Sequence, residues 1–128
     1  MDSKGNPNSQ VNLVLDECLH LKGTWKSNPI IMDLFKTHKT SNINLTMSLS
    51  YPINLSDVYS HFDWVILGPE HFPATIKKLY GLFGKFMENP DDFVQLYKYF
   101  TDHDLVMCIC NKSSSTNINE RIRFFHTK

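Results

Sequence analysis

The stretch "VNLVLDEC", Val11 to Cys18, carries the strongest structural signal in the sequence. Aliphatic side chains fill four of its first five positions and predict a short β-strand, Val11–Leu15. Because these residues do not alternate with polar ones, burial on both faces is expected, as in a parallel sheet. The strand runs directly into two adjacent carboxylates, Asp16 and Glu17.

This carboxylate pair has two interpretations. A strand can simply end in a polar turn. Alternatively, the pair belongs to a nucleotide-triphosphate site, in which Asp16 holds Mg²⁺ and Glu17 activates water. The eight residues alone leave both interpretations open.

The composition is that of one globular domain. The chain has 128 residues, of which 41% are hydrophobic, enough to bury a core. Thirteen basic and thirteen acidic residues cancel, so no strong overall field attracts nucleic acid or membrane, and a local patch stays an alternative. The three cysteines form no CxxC pair, which indicates a reducing compartment. Residues 1–10 are polar and are interpreted as a disordered lead-in. No apolar run approaches the roughly 20 residues of a membrane helix.

From residue 11 to residue 128, predicted strands alternate with predicted helices. The strands are Val11–Leu15, Ile43–Leu49, Asp63–Leu67, Asp104–Cys110 and Arg121–His126. The helices are Pro29 to about Thr37, a short turn at Ser56-Asp57, Pro73 to about Phe86, and Pro90 to about Phe100. This order predicts an α/β layer fold with a mainly parallel sheet.

The first helix has the clearest start signal. Ser27 or Asn28 is expected to cap it, and Pro29 occupies its first position. Its predicted apolar face consists of Ile30, Ile31, Leu34 and Phe35.

Three blocks occur in order along the chain. The first is Leu13–Cys18; the second contains Phe35, Asn42, Ile43, Tyr51 and Pro52; the third is Asp63-Trp64-Val65. In this order they resemble the packaging ATPases of nucleocytoplasmic large DNA viruses, in the FtsK/HerA branch of the P-loop superfamily. The first block resembles the family's Walker B segment, LVLDDC. The resemblance covers about residues 11–126. It implies a partial RecA/FtsK-like P-loop sheet, mainly parallel with helices on both faces, from the Walker B strand onward.

The resemblance also implies roles for the matched positions. Asp16 would hold Mg²⁺ through water, and Glu17 would orient and deprotonate the attacking water. Lys39 stands where the family has an arginine, and Ser50 stands where it has a glutamine that senses the γ-phosphate. The family uses ATP and Mg²⁺ to package viral double-stranded DNA. The expected location is therefore the host cytoplasm, at the viral factory, or the virion, and not the secreted fraction.

One motif of a P-loop motor does not occur in these residues. The five glycines do not form G-x-x-x-x-G-K-[S/T], so neither a Walker A strand nor its helix is predicted. The family's arginine and asparagine in the third block are replaced by Tyr59 and His61. We therefore expect a truncated or degenerate packaging ATPase-like protein without independent ATP hydrolysis. The alternatives are one half of a split motor, completed by a partner chain that carries Walker A, and a repurposed non-catalytic interaction domain.

The missing strand has a consequence for two others. In the motors that the chain resembles, the Walker A strand separates the strands that correspond to Ile43–Leu49 and Trp64–Leu67. Without it, each of these exposes unpaired N–H and C=O groups. We predict either that the two strands pair directly or that a partner chain fills the gap. Homo-oligomers are a further possibility.

Overall fold

The computed structural model describes residues 9–17, 28–50 and 56–127. The chain divides into two compact units, Met1–Ile53 and Asn54–Lys128. The strands are β1 Val11–Asp16, β2 Ile43–Ser48, β3 Trp64–Leu67, β4 Leu105–Cys110 and β5 Ile122–His126. The helices are α1 Pro29–Thr37, α2 Ser56–Tyr59, α3 Pro73–Leu79, α4 Pro90–Asp102 and α5 Ile118–Arg121. Predictions for residues 1–8, 18–27 and 51–55 lie outside the described residues. In the described part, no helix is long and apolar enough to cross a membrane.

In the first unit, β1 and β2 pair in parallel, and α1 connects them along the chain. Of the two predicted caps, Asn28 caps the helix: its Oδ1 accepts a hydrogen bond from the Ile30 amide at 2.9 Å. Phe35 of α1 is fully buried. Ile30, expected on the same apolar face, is instead 79% exposed. Five residues along an α-helix turn the side chain by about 140°, so Ile30 and Phe35 point in different directions.

The prediction that β1 is buried on both faces is wrong. Leu13 and Leu15 are partly buried, whereas Val14 is 62% exposed. The reason lies in the partner strand, because the register places the polar residues of β2 beside Asn12, Val14 and Asp16. On this face the side chains of Asn12 and Asn44 hydrogen-bond to each other at 3.0 Å. The first unit therefore has one apolar face and one polar, open face.

The second unit contradicts the prediction of a mainly parallel sheet. Its three strands have the order β3-β4-β5, and both pairings are antiparallel. Two helices, α3 and α4, separate β3 from β4. A single helix between two strands brings the chain back to the end of the sheet at which the first strand began. The next strand then runs parallel to the first. A second helix carries the chain across again, so the next strand runs in the opposite direction.

The core of the second unit lies between one face of this sheet and the helices. It contains Leu67, Ile76, Leu79, Phe93, Tyr97, Phe100, Leu105, Met107, Ile109 and Ile122. The helix predicted from Pro73 to Phe86 is α-helical only over Pro73–Leu79. Tyr80–Gly84 continues it as a π-helical segment. Glycine is a poor α-helix former, and Gly81 and Gly84 both fall in this segment. The segment brings Gly84 directly against the Phe93 ring.

The two strands expected to flank a missing strand do not pair with each other. Among the described strands, β2 pairs with β1 and β3 pairs with β4. Direct pairing, the first of the two alternatives predicted from the sequence, is therefore wrong. Each strand keeps one edge that no described strand occupies.

The packing of Gly84 predicts a large difference between two glycines of the same segment. A Cβ at Gly84 would lie 2.7 Å from Phe93 Cδ2 and Cε2, whereas a Cβ at Gly81 would meet nothing within 4 Å. We expect Gly84→Ala to lower the free energy of unfolding by about 1–3 kcal/mol through overpacking. The matched control, Gly81→Ala, should be neutral or slightly stabilising. Urea unfolding measures both, and equal effects would contradict this packing.

Tyr97 makes stability sensitive to alkaline pH. Its hydroxyl donates to the Gly68 carbonyl at 2.5 Å. Burial, with a smaller effect of Glu70, raises the pKa of Tyr97 from 10.0 to about 12. The folded state thus holds this proton more tightly than the unfolded state. The protonated Tyr97 hydroxyl stabilises the fold fully below pH 10. As the pH rises towards 12 this stabilisation is lost, and the free energy of unfolding falls by roughly 2 kcal/mol.

We expect this loss in the unfolding free energy measured between pH 9 and 12. Tyr97→Phe should be less stable at neutral pH by about 1 kcal/mol, because the hydrogen bond to Gly68 is lost. The difference between wild type and Tyr97→Phe should shrink as the pH rises. A constant difference would show that Tyr97 does not titrate in this way.

Candidate functional site

The predicted acidic pair lies where β1 and β2 end. Parallel strands present their carboxyl ends at the same edge of a sheet, and the register places Asp16 opposite Ser48. The Ser48 hydroxyl donates a hydrogen bond to Asp16 Oδ1. Two residues further, the Ser50 hydroxyl donates to Glu17 Oε2 at 3.1 Å. Each carboxylate is thus held by a serine from the β2 side.

Glu17 leaves the strand with an unusual backbone. Its φ of 54° lies in the left-handed region, which costs a residue with a Cβ roughly 1–2 kcal/mol. Its amide still donates to the Ser48 carbonyl at 3.1 Å. The other two such non-glycine residues in the described part are Asn42 and Asp104, types that tolerate this region. Glu17 directly follows Asp16, the last residue of β1, so it lies outside the regular alternation of the strand.

Of the four residues predicted for the site, three come together. Asp16, Glu17 and Ser50 meet at the carboxyl ends of the strands. Lys39 lies in the turn before β2, where its carbonyl accepts from the Asn42 amide at 3.3 Å. The length of β2, roughly 20 Å at 3.3 Å per residue, separates that turn from the acidic pair. Lys39 therefore does not join this cluster, and its role in nucleotide binding stays a prediction.

Ser48 was not predicted from the sequence as a site residue. A serine in the middle of "TMSLS" has no local signal for such a role. Only the register identifies it, because parallel pairing with Val11 opposite Ile43 leads to Asp16 opposite Ser48. Tyr59, which stands where the resembling family has an arginine, belongs to the second unit. It is buried, with its ring centroid 5.0 Å from that of Phe83.

The donor set is compatible with a hard divalent cation. The side chains of Asp16 and Glu17 are exposed, and Mg²⁺ prefers oxygen ligands while keeping several of its own waters. No group of three or more His, Cys, Asp or Glu side chains that could hold a metal occurs among residues 9–17, 28–50 and 56–127. A cation at this edge would therefore be bound by one or two carboxylates and water, not by a closed protein cage.

The fold of this chain is similar to that of a protein of known structure. The sequence matches no protein-family model and no curated protein. Among solved structures, it matches the genome packaging NTPase B204 from Sulfolobus turreted icosahedral virus 2 in complex with ATP-gammaS. The TM-score is 0.63 at 16% identity, over 88% of this chain and 50% of that chain.

The chain is similar in fold to a viral genome packaging NTPase. A second structure of B204, in complex with AMPPCP, has a TM-score of 0.60 at 18% identity with the same coverage. The chain thus spans about half the length of the structures it matches. The expected likeness to a viral packaging ATPase is confirmed at the level of the fold. The assignment of Asp16 and Glu17 to a Walker B motif stays a prediction.

The left-handed backbone at Glu17 can be tested without nucleotide. Glu17→Gly and Glu17→Ala both remove the carboxylate, but only alanine keeps a Cβ. We expect the glycine variant to be more stable than the alanine variant by about 1 kcal/mol. At Asp16, in the extended strand β1, the order should reverse because glycine weakens a strand. Urea unfolding of the four variants provides the comparison, and the same order at both positions would refute the assigned backbone.

Proposed function

We propose that this chain is a viral genome packaging ATPase-like unit that carries the acidic part of a nucleotide site and does not hydrolyse ATP by itself. The observation that supports this is the pair of serine-bound carboxylates at the carboxyl ends of β1 and β2. They occur in a chain similar in fold to a packaging NTPase whose structures contain ATP analogues. The viral factory or the virion is the proposed location.

In this proposal, Asp16 and Ser48 form the cation side of the site. The carboxylate of Asp16 would bind a hydrated Mg²⁺ through water, and the Ser48 hydroxyl fixes the carboxylate orientation through its hydrogen bond. When bound, Mg²⁺ supplies charge neutralisation for the phosphates of the nucleotide. Since the exposed edge is hydrated, the cation can keep most of its water shell.

Glu17 and Ser50 would form the proton-accepting side. A carboxylate that orients a water molecule and accepts its proton must itself be held in place. The hydrogen bond from Ser50 Oγ to Glu17 Oε2 holds one oxygen and leaves the other available to water. This arrangement gives Ser50 a positioning role in place of the phosphate-sensing role that the resemblance implies for its position.

The phosphate-binding part of the site would have to come from other residues. The 128 residues contain no glycine-rich loop followed by lysine that could cradle the phosphates. Removing one charge-stabilising group from a phosphoryl-transfer site typically costs about 10³-fold or more in rate. The matched packaging NTPase has as much chain again outside the match, which favours completion by a segment or partner that carries Walker A.

Calorimetric titration tests the proposal directly. We expect the 128-residue chain to show no binding of Mg-ATP at concentrations up to about 1 mM, because most phosphate contacts in such sites come from the missing loop. A malachite-green assay should detect no phosphate release above the protein-free rate.

Micromolar affinity for Mg-ATP would overturn this expectation. In that case, matched variants would identify the residues responsible. Asp16→Asn should remove the Mg²⁺ dependence of binding, whereas Glu17→Gln should preserve binding and abolish any hydrolysis. Unchanged hydrolysis by Glu17→Gln would exclude Glu17 as the proton acceptor.

A further inference from the structure

Two cysteines of β4 lie on the face of the β3-β4-β5 sheet opposite the core. Leu105, Met107 and Ile109 of this strand belong to the core, and side chains alternate between the two faces of a sheet. Cys108 and Cys110 therefore share the other face, two residues apart. Both are free thiols, of which Cys108 is buried and Cys110 is partly buried.

The geometry of the strand prevents these two thiols from forming a disulfide with each other. Two residues along a strand span about 6.6 Å, and their Cβ atoms point the same way. A disulfide needs Cβ atoms only about 3.5–4.5 Å apart. Bending β4 to close this gap would break its hydrogen bonds with β3 on one side and β5 on the other. The pair is therefore held as a dithiol.

A metal ion can join two sulfurs at this spacing, where a covalent bond cannot. Metal–thiolate bonds of about 2.3 Å place two sulfurs about 4.6 Å apart when they bind on opposite sides of the ion. Two thiols that lean towards each other from Cβ atoms about 6.6 Å apart can reach this separation. The backbone of β4 does not have to move for this.

The Arg123 side chain crosses β4 beside the two cysteines. Arg123 of β5 lies opposite Cys108. On the other side of β4, Trp64 of β3 lies opposite Cys110. The Arg123 guanidinium is 5.7 Å from the centroid of the Trp64 ring, so the side chain extends from β5 across β4 towards β3. A positive charge thus lies over the strand that carries the thiol pair.

The surroundings of Cys108 act on its proton in opposite directions. Burial, and after it the neighbouring Cys110, raises the pKa of the Cys108 thiol, whereas Arg123 lowers it. Without a metal, Cys108 keeps its proton at neutral pH. A cation that binds to thiols displaces their protons, and the Arg123 guanidinium then stabilises the negative charge of the thiolates.

We propose that Cys108 and Cys110 together bind one soft monovalent metal ion, Cu(I), through their two sulfur atoms. Thiolates select Cu(I) and Zn²⁺ over hard cations. Protein zinc sites use three or four protein ligands, and in the described part of the chain no group of three or more His, Cys, Asp or Glu side chains could hold a metal. Cu(I), in contrast, is stable with two thiolates in a line.

Binding exchanges protons for one cation and leaves every oxidation state unchanged. Each thiol loses its proton to water as its sulfur bonds to copper. Two thiolates and one Cu(I) carry one net negative charge, which the Arg123 guanidinium offsets. The pair shares no residue with the acidic site of the first unit, so this inference stands or falls independently of the proposed function.

Anaerobic competition between the full 128-residue chain and a chromogenic Cu(I) chelator tests the proposal. The wild type should take up one Cu(I) per chain, with the ultraviolet charge-transfer absorption of copper–thiolate bonds. Cys108→Ser and Cys110→Ser should each abolish this uptake, and Cys18→Ser is the matched control that should retain it. Because binding releases protons, the affinity should rise with pH.

Arg123 provides a test of the charge above the thiols. Arg123→Ala should weaken Cu(I) binding about tenfold or more, as the loss of an outer partner does at metal sites. Arg123→Lys keeps the positive charge and should restore most of the affinity. Circular dichroism establishes that each variant is folded.

X-ray absorption at the copper edge of the wild-type complex gives a readout that does not depend on the variants. It should show two sulfur neighbours and no others. Absence of uptake by the folded wild type would overturn the proposal. So would three or more sulfur neighbours, uptake that survives both Cys108→Ser and Cys110→Ser, or uptake that Cys18→Ser abolishes as well.

Discussion

The parallel pairing of β1 with β2 is the constraint on which the acidic site depends. It places Asp16 beside Ser48, and from there the chain continues so that Glu17 meets Ser50. A shift of one residue in this register would exchange the apolar and polar faces of β2. Asp16 would then lie beside an apolar residue, and neither carboxylate would have its serine. The site is therefore a property of the pairing as much as of the acidic residues.

The same pairing explains why one face of the first unit is polar. Parallel sheets are usually covered on both faces, but here Asn12 and Asn44 hydrogen-bond across a face on which Val14 is 62% exposed. A ladder of amides is stable in water and would be costly to bury beneath an apolar helix. The exposure of this face leaves the carboxylates at its end hydrated. Hydration suits a water-mediated cation site and is unsuited to catalysis without further protein around it.

The second unit is organised by a different constraint, the packing of α3 and α4 on one face of an antiparallel sheet. Gly84 allows the Phe93 ring to lie against the π-helical segment, and Phe93 lies fully buried in the core. On the other face of the sheet, Trp64 and Ile66 are exposed, and the Arg123 guanidinium lies 5.7 Å from the centroid of the Trp64 ring.

The sequence by itself determined the approximate positions of the five described strands and the main helices, a cap at Ser27 or Asn28, and the candidate acidic pair. These depend on local features: runs of aliphatic residues, capping residues, and proline at helix starts. Only the tertiary structure decided which strands pair and in which direction, how far Val14 is exposed, and that Ser48 belongs to the site. Strand pairing depends on contacts between residues distant in sequence, such as Asp16 and Ser48, and no local pattern encodes them. The two helices between β3 and β4 made that pairing antiparallel because each helix reverses the direction of the chain.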